Sequence, residues 1–435
     1  LAPGDLFVAL TGPNQDGHAF VGQAFDRGAA AAVVSRMPEG APDDSGLVMV
    51  ADTQAALEGL GRAGRLRTAA RIAGVTGSVG KTGTKEALRH VLSRQAPTYA
   101  SAASHNNHWG VPLSLARLPT GARFGVLELG MSHAGEIAAL TRLVRPHVGV
   151  ITTIAPAHLE FFPSVAAIAD AKSEIFAGIE PGGVAVINRD SEHYPRMRAH
   201  AERCRAGRIV TFGRDEAADW RLADCQLRPE LSEVVAVRQG RRVAYRLGTP
   251  GEHLVLNSLA VLAVSEALGA DVAQAAAALG DLRATAGRGE RRRIAVGSGY
   301  AVLLDESYNA NPASMRAALA LLGQLPGRRI AVLGDMLELG QASGELHAGL
   351  AEAVERAAVD LVFTRGPGMA HLRDALPAGR RGGHAVDSAA LAGLVADAVR
   401  PGDAVLVKGS LGSAMARVVT ALKTLGAPVA APVAC

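Results

Sequence analysis

The chain has 435 residues, 49% hydrophobic and 20% charged, a composition that excludes a disordered chain and fits about three domains at roughly 150 residues each. A net charge of only +4, dispersed Arg and 4% aromatics argue against nucleic-acid binding, and no uncharged apolar run approaches the roughly 20 residues of a membrane span. The 45 basic residues divide into 40 Arg and five Lys (Lys81, Lys85, Lys172, Lys408 and Lys423), so each Lys marks a position where a compact amine that can lose its proton was kept in place of a permanently charged fork.

Residues 1 to about 66 read as an Ala/Gly-rich α/β segment with strands at Leu6–Leu10 and Ala31–Val34. The start lacks Met, a basic n-region and an apolar h-region, so a truncated N-terminus and no signal peptide are expected. The Arg-rich stretch Gly61–Arg71 reads as a boundary. Strands follow at Ile72–Thr76, Gly125–Leu129, Val148–Ile154 and Val184–Asn188, alternating with helical stretches, the pattern of a parallel sheet covered on both faces. A second boundary falls in the Gly/Arg-rich Leu282–Glu290. Strands at Ala301–Asp305, Arg329–Gly334, Leu361–Thr364 and Ala404–Val407 then form a further doubly wound domain, and the tail Ala427–Cys435 is expected to fray. The fold class is therefore α/β, with domains at 1–66, 67–283 and 284–435. Cys204, Cys225 and Cys435 are scattered and odd in number, which suggests neither a disulfide framework nor a Cys-based zinc site and fits a reducing cytoplasm.

Gly74-Val75-Thr76-Gly77-Ser78-Val79-Gly80-Lys81-Thr82 follows a strand and opens a helix. Its glycines admit phosphate oxygens to backbone N–H groups, Lys81 would reach the β/γ-phosphates and Thr82 would bind Mg²⁺. Val75 stands where the six-spaced form of this loop has its first Gly, so the loop is the shorter Thr-Gly-x-x-Gly-Lys-Thr type. Lys85, one turn on, reads as a helix-surface charge. Glu128 and His158 each follow a strand, and ligands gather beyond the carboxyl ends of such strands, so both are candidate metal ligands beside the loop. Lys172 falls inside the apolar stripe of Val165, Ile168, Ile175, Phe176 and Ile179. A snorkelling amine is one reading. The other is a carbamate: at roughly 5 Å and an effective dielectric of about 20, each unit charge on a metal repels an ammonium by ~3 kcal/mol, and reaction with CO₂ inverts the sign.

With Asn106-Asn107 ahead of Gly110-Val111-Pro112-Leu113, Glu128-Leu129-Gly130, Ala157-His158-Leu159 and Ala171-Lys172-Ser173-Glu174, the chain resembles the Mur ligases, ATP-dependent ligases of peptidoglycan precursor synthesis. Tyr308-Asn309-Ala310-Asn311-Pro312, Gly334-Asp335-Met336-Leu337-Glu338-Leu339-Gly340 and Lys408-Gly409-Ser410 resemble the branch whose substrates are UDP-N-acetylmuramoyl-tripeptide and D-alanyl-D-alanine. The resemblance spans nearly the whole chain. It implies an N-terminal UDP-binding domain, a central P-loop ATPase domain and a C-terminal Rossmann-like domain. It implies an ATP site of Thr76, Gly77, Ser78, Val79, Gly80, Lys81, Thr82, Asn257, Arg288 and Asp305. Mg²⁺ would sit among Thr82, Glu128, His158 and a carbamylated Lys172, with Lys81, Glu128, His158 and Lys172 as the catalytic set. Phe7, Asp16, His18, Asn106 and Asn107 are expected on the UDP-substrate, and Tyr308, Asn309, Asn311, Lys408 and Ser410 at the amino substrate; a monomer is expected. Leu254 departs from the polar residue usual after His253, which weakens His253 as a site residue. A sibling ligase adding one amino acid, a P-loop kinase and a non-catalytic nucleotide-binding module stay open as alternatives.

Overall fold

A computed structural model describes residues 1–39, 46–102, 104–204, 206–228 and 230–425; the expected fraying at 427–435 lies outside them. Three sheets succeed one another along the chain. The first is a small parallel sheet of β1 (Leu6–Val8), β2 (Ala31–Val34) and β3 (Leu47–Met49). β1 stops two residues short of the expected Leu10, because the chain turns there to receive Gly17 N on Leu10 O. The Arg-rich boundary is a helix for most of its length: Thr53–Leu66, opened by Asp52, whose Oδ1 accepts from the N–H groups of Gln54 (2.7 Å) and Ala55 (3.1 Å).

The central sheet contains β4 (Arg71–Thr76), β5 (Thr98–Ala100), β6 (Phe124–Glu128), β7 (Val148–Ile151), β8 (Val184–Asn188), β9 (Arg208–Gly213), β10 (Trp220–Leu227), β11 (Ser232–Arg238) and β12 (Arg241–Leu247). Their spatial order is 12-11-10-9-8-7-4-6-5. From β5 to β10 neighbours run parallel. β6, β7 and β8 are buried at every position, as a sheet covered on both faces requires. β10, β11 and β12 add an antiparallel meander that the chain's βα alternation does not announce. Its last hairpin turns through Gln239 and Gly240, both left-handed (φ 51° and 75°), the backbone that matches strand twist in a two-residue loop. The chain leaves β4 toward β5 on one side and later crosses to β7 on the other. β4 is therefore the switch point where a crevice opens beyond the strand ends.

The third sheet, β13 (Glu290–Val296), β14 (Gly299–Glu306), β15 (Arg329–Gly334), β16 (Leu361–Arg365), β17 (Arg381–Ala385) and β18 (Ala404–Lys408), has order 13-14-18-15-16-17. It is parallel except for the β13–β14 hairpin. The architecture is the expected α/β class, with parallel sheets flanked by helices. No helix among the described residues is long and apolar enough to cross a membrane.

Candidate active site

The loop after β4 is held by the residues after β7. Thr152 Oγ1 lies within hydrogen-bonding distance of Val79 O (2.6 Å) and Thr76 O (3.2 Å), and Ser78 N donates to Thr153 O (2.8 Å). Gly77 (φ 149°) and Gly80 (φ 87°) are required on two counts. Both backbones favour glycine, and a Cβ on Gly77 would overlap the Thr152 hydroxyl, while one on Gly80 would lie 2.7 Å from Asn257 Nδ2. Asn257, on the helix Glu252–Ala267, is thereby seated against the loop. Gly80 opens the helix Lys81–Ser93, whose first-turn N–H groups provide positive potential for phosphate. Lys81 folds back so that Nζ donates to Gly77 O (2.7 Å). Burial lowers its pKa, Glu128 opposes that shift and Arg288 adds to it, so all three charges share one neighbourhood.

Glu128 is 1% exposed at the end of β6. Its Oε2 accepts from Thr82 Oγ1 (2.7 Å) and its Oε1 from Asn106 Nδ2 (2.8 Å). Asn106, expected on the UDP-substrate, therefore has its amide on this carboxylate. Asn107 has its Oδ1 on the N–H groups of Trp109 (3.2 Å) and Gly110 (2.9 Å), at the start of the helix Gly110–Ala116. Lys172 is fully buried on the helix Val165–Ser173, and its Nζ has no hydrogen-bond partner. Its pKa is driven well below the ordinary amine value, first by burial and then by the charge of Lys81. Lys85 corrects an expectation. It is not a surface charge but fully buried, with Nζ donating to Ser101 O (2.8 Å) and paired with Glu86 (3.1 Å).

Among the described residues no three His, Cys, Asp or Glu side chains form a ready-made metal cluster. The donors nonetheless suit a hard cation once the Thr82 hydroxyl is counted and the orphaned Lys172 amine is turned into an oxygen donor. His158 (φ 58°) follows β7 and reaches across to the C-terminal domain, where its Nδ1 meets Glu338 Oε2 at 2.5 Å. That hydrogen bond holds the Glu338 carboxyl below the usual carboxylate range.

From the C-terminal side, Arg288 lies 3.9 Å over the Tyr308 ring and donates to Ser104 Oγ (3.1 Å) in the central domain. Asp305 is buried and accepts from Ser307 Oγ (2.6 Å), with Lys423 Nζ 3.8 Å from its other oxygen. Lys408 is buried between Glu306 (3.3 Å) and Asn309 O (2.9 Å). Two residues expected at the amino substrate also hold their own loops. Asn311 forms a capping box with Ser314 at the head of the helix Pro312–Gly323, and the Ser410 hydroxyl accepts from Leu337 N (3.0 Å). Desolvation lowers the pKa of His253, which has Glu306 and Lys408 nearby. In the N-terminal sheet Phe7 packs in the small core. Asp16 and His18 bind each other (2.6 Å), with Ser35 N donating to His18 Nε2 (3.0 Å) and Arg36 paired to Asp16. The His18 backbone N–H on Asp16 Oδ1 (2.9 Å), then the Arg36 and His18 side chains, hold the Asp16 carboxyl well below its ordinary value.

Thr152 and Thr153 were findable from sequence, since they follow a strand bordering the loop's own strand. Ser101, Ser104 and Glu338 carry no local signal, because their partners are remote along the chain or on another domain.

A phosphate loop at a sheet switch point, a hydroxyl–carboxylate pair beside it and an arginine supplied across a domain boundary define a multidomain nucleotide-using enzyme. Residues 75–265 match the family model of the Mur ligase middle domain, and residues 287–411 match that of the Mur ligase, glutamate ligase domain. The chain belongs to the Mur ligase family. It is 36% identical over 433 residues to the UDP-N-acetylmuramoyl-tripeptide–D-alanyl-D-alanine ligase of Escherichia coli (strain K12), covering 98% of this chain and 92% of that protein. It is 35% identical over 363 residues to the enzyme of that name from Bacillus subtilis (strain 168), covering 83% and 77%. Among solved structures, MurF from Acinetobacter baumannii superposes with a TM-score of 0.85 at 32% identity, covering 97% of this chain and 91% of that one. MurF ligase from Thermotoga maritima in complex with ADP gives 0.81 at 29%, covering 98% and 95%.

Proposed function

We propose that the chain joins D-alanyl-D-alanine to UDP-N-acetylmuramoyl-tripeptide in the cytoplasm, consuming ATP and releasing ADP and phosphate. The observation that carries the reading is the phosphate loop with Thr82 on Glu128 Oε2, in a chain related over nearly its full length to ligases of that name. A carboxylate has no leaving group, so its oxygen first attacks the γ-phosphoryl group to give an acyl phosphate and ADP. The dipeptide amine then adds to the acyl carbon, and the tetrahedral intermediate expels phosphate and loses a proton as the amide forms. Positioning and electrostatics carry most of such catalysis. Lys81 must leave Gly77 O to reach the phosphates. Arg288, already beside Lys81, adds a second positive charge from the far side of the domain boundary. Asn257 and Asp305 are assigned to the nucleotide, Asp16, His18 and Phe7 to the UDP end, and Tyr308, Asn309 and Lys408 to the dipeptide.

Mg²⁺, when bound, would neutralise charge on the transferring phosphoryl group; Thr82, Glu128, His158 and Lys172 would hold it. The unpartnered amine of Lys172, whose hold on its proton burial weakens, supports the carbamate reading. The amine nitrogen bonds to the carbon of CO₂, one C=O π pair moves to oxygen, and the nitrogen loses a proton, leaving an anionic oxygen donor.

The test is phosphate release with ATP, Mg²⁺, the tripeptide nucleotide and D-alanyl-D-alanine, followed by mass analysis. An amide-linked pentapeptide product is expected, and Lys81→Ala should abolish its formation. A phosphorylated product would indicate a kinase. Phosphate release with a single amino acid but not the dipeptide would indicate a sibling ligase.

A further inference from the structure

The junction between the central and C-terminal domains contains two non-glycine residues in left-handed backbone, His158 (φ 58°) and Glu338 (φ 61°), and their side chains meet. Such conformations are costly and persist where the surroundings over-determine them. Here Glu160 N donates to Glu338 O (3.2 Å), and Gly340 (φ 59°) approaches so closely that a Cβ would lie 3.2 Å from Glu160 Cα. The imidazole is 24% exposed and the carboxylate 43%. An ion pair that exposed contributes little to stability by itself, so two strained backbones are a poor exchange for domain adhesion alone.

The contact does fix one chemical property. An ionised carboxylate can only accept, so the imidazole must carry its proton on Nδ1. In the neutral ring that leaves Nε2 as the lone pair, and Nε2 has no hydrogen-bond partner among the described residues. A carboxylate behind a histidine is the arrangement that orients a metal-binding imidazole and raises its basicity.

We infer that Glu338 is a positioning residue of the nucleotide–metal site, acting through His158, and that it makes the His158 tautomer conditional on docking of the C-terminal domain. The inference rests on the ligase reading, but its first readout does not. In protein labelled with ¹⁵N-histidine, the His158 signal (assigned by its loss in His158→Gln) is expected to report the Nδ1–H tautomer in the neutral ring. Glu338→Ala should populate both tautomers, and Glu338→Gln should restore the first, because its amide carbonyl still accepts. In calorimetric ADP binding, Glu338→Ala should reduce the affinity gained from Mg²⁺ by about 10-fold or more while leaving metal-free ADP affinity unchanged. An unchanged tautomer in Glu338→Ala overturns the inference. So does an equal loss of affinity with and without Mg²⁺, which is the signature of domain adhesion only. A wild-type protein in which Mg²⁺ adds nothing to ADP affinity would instead refute the underlying ligase reading.

Discussion

Replacing Lys172 by Met removes the amine and keeps the length of the side chain, and the outcome depends on pH in a calculable way. The wild-type amine is fully buried, unpartnered and has a pKa well below 10.5. Between its folded-state pKa and 10.5 the unfolded chain binds a proton that the folded chain does not. Wild-type stability therefore rises with pH in that window, by about 1.4 kcal/mol per pH unit. Lys172→Met lacks the group and lacks the slope. Throughout that window the variant should be the more stable of the two, by a margin that shrinks as pH rises toward 10.5. Denaturant unfolding in CO₂-free buffer reads this out through Trp220, which is buried in the same domain with its indole N–H on Glu266 (3.0 Å). Bicarbonate should then stabilise the wild type and leave the variant unmoved, because a carbamate is a ligand of the folded state alone. Parallel pH profiles for the two proteins would mean that the amine stays charged when buried, and the case for its reaction with CO₂ would fail.

Thr82→Val leaves one oxygen of a buried carboxylate without its donor, so the denaturation midpoint should fall by the equivalent of about 1–3 kcal/mol, with Mg²⁺-dependent turnover lost as well. Gly80→Ala forces a Cβ to 2.7 Å from Asn257 in a left-handed backbone and should abolish nucleotide binding in a direct titration. Gly83→Ala, on the next turn with open space around it, should bind normally and gain about 1 kcal/mol of stability. Asn311→Ala removes the capping box of Pro312–Gly323 and should cost about 1 kcal/mol in unfolding measurements; a larger rise in KM for the dipeptide than this instability explains would restore Asn311 to the amino-substrate site.

Contiguous features were legible before any coordinates. The loop Thr76–Thr82 is local, and its strand and helix flank it in sequence. The strands Val184–Asn188 and Arg329–Gly334 are short apolar runs bounded by turns, and their ends agree with expectation. Lys172 was legible because helical periodicity alone puts it on a buried face. Lys85 was misread because its burial depends on Ser101, supplied by the strand-end loop after β5. The amide of Asn106 on Glu128 and the carboxylate of Glu338 on His158 depend on chain crossings and domain docking, which no window of residues encodes. The antiparallel strands β10 to β12 escaped because their alternation is interrupted between Leu222 and Asp224, where the register shifts.

The helix Thr53–Leu66 sets an asymmetry in how the three domains can move. Its Gly61 and Gly64 lie so close to Pro112 and Leu115 that neither has room for a methyl group. Arg65 reaches past them to bond the carbonyls of Val144 (2.8 Å) and Arg145 (2.9 Å). Sliding or tilting here would tear backbone from backbone, so this helix and the central domain behave as one stator. The other junction contains Gly287 and Gly289 in left-handed backbone, with the Arg288 side chain between them on a ring face and a hydroxyl. A swing of the C-terminal domain about this segment would also have to part His158 from Glu338, and the arginine in the segment is the one proposed to face the nucleotide. Under the proposed assignment of Arg288, ATP binding and the angle between these domains are coupled.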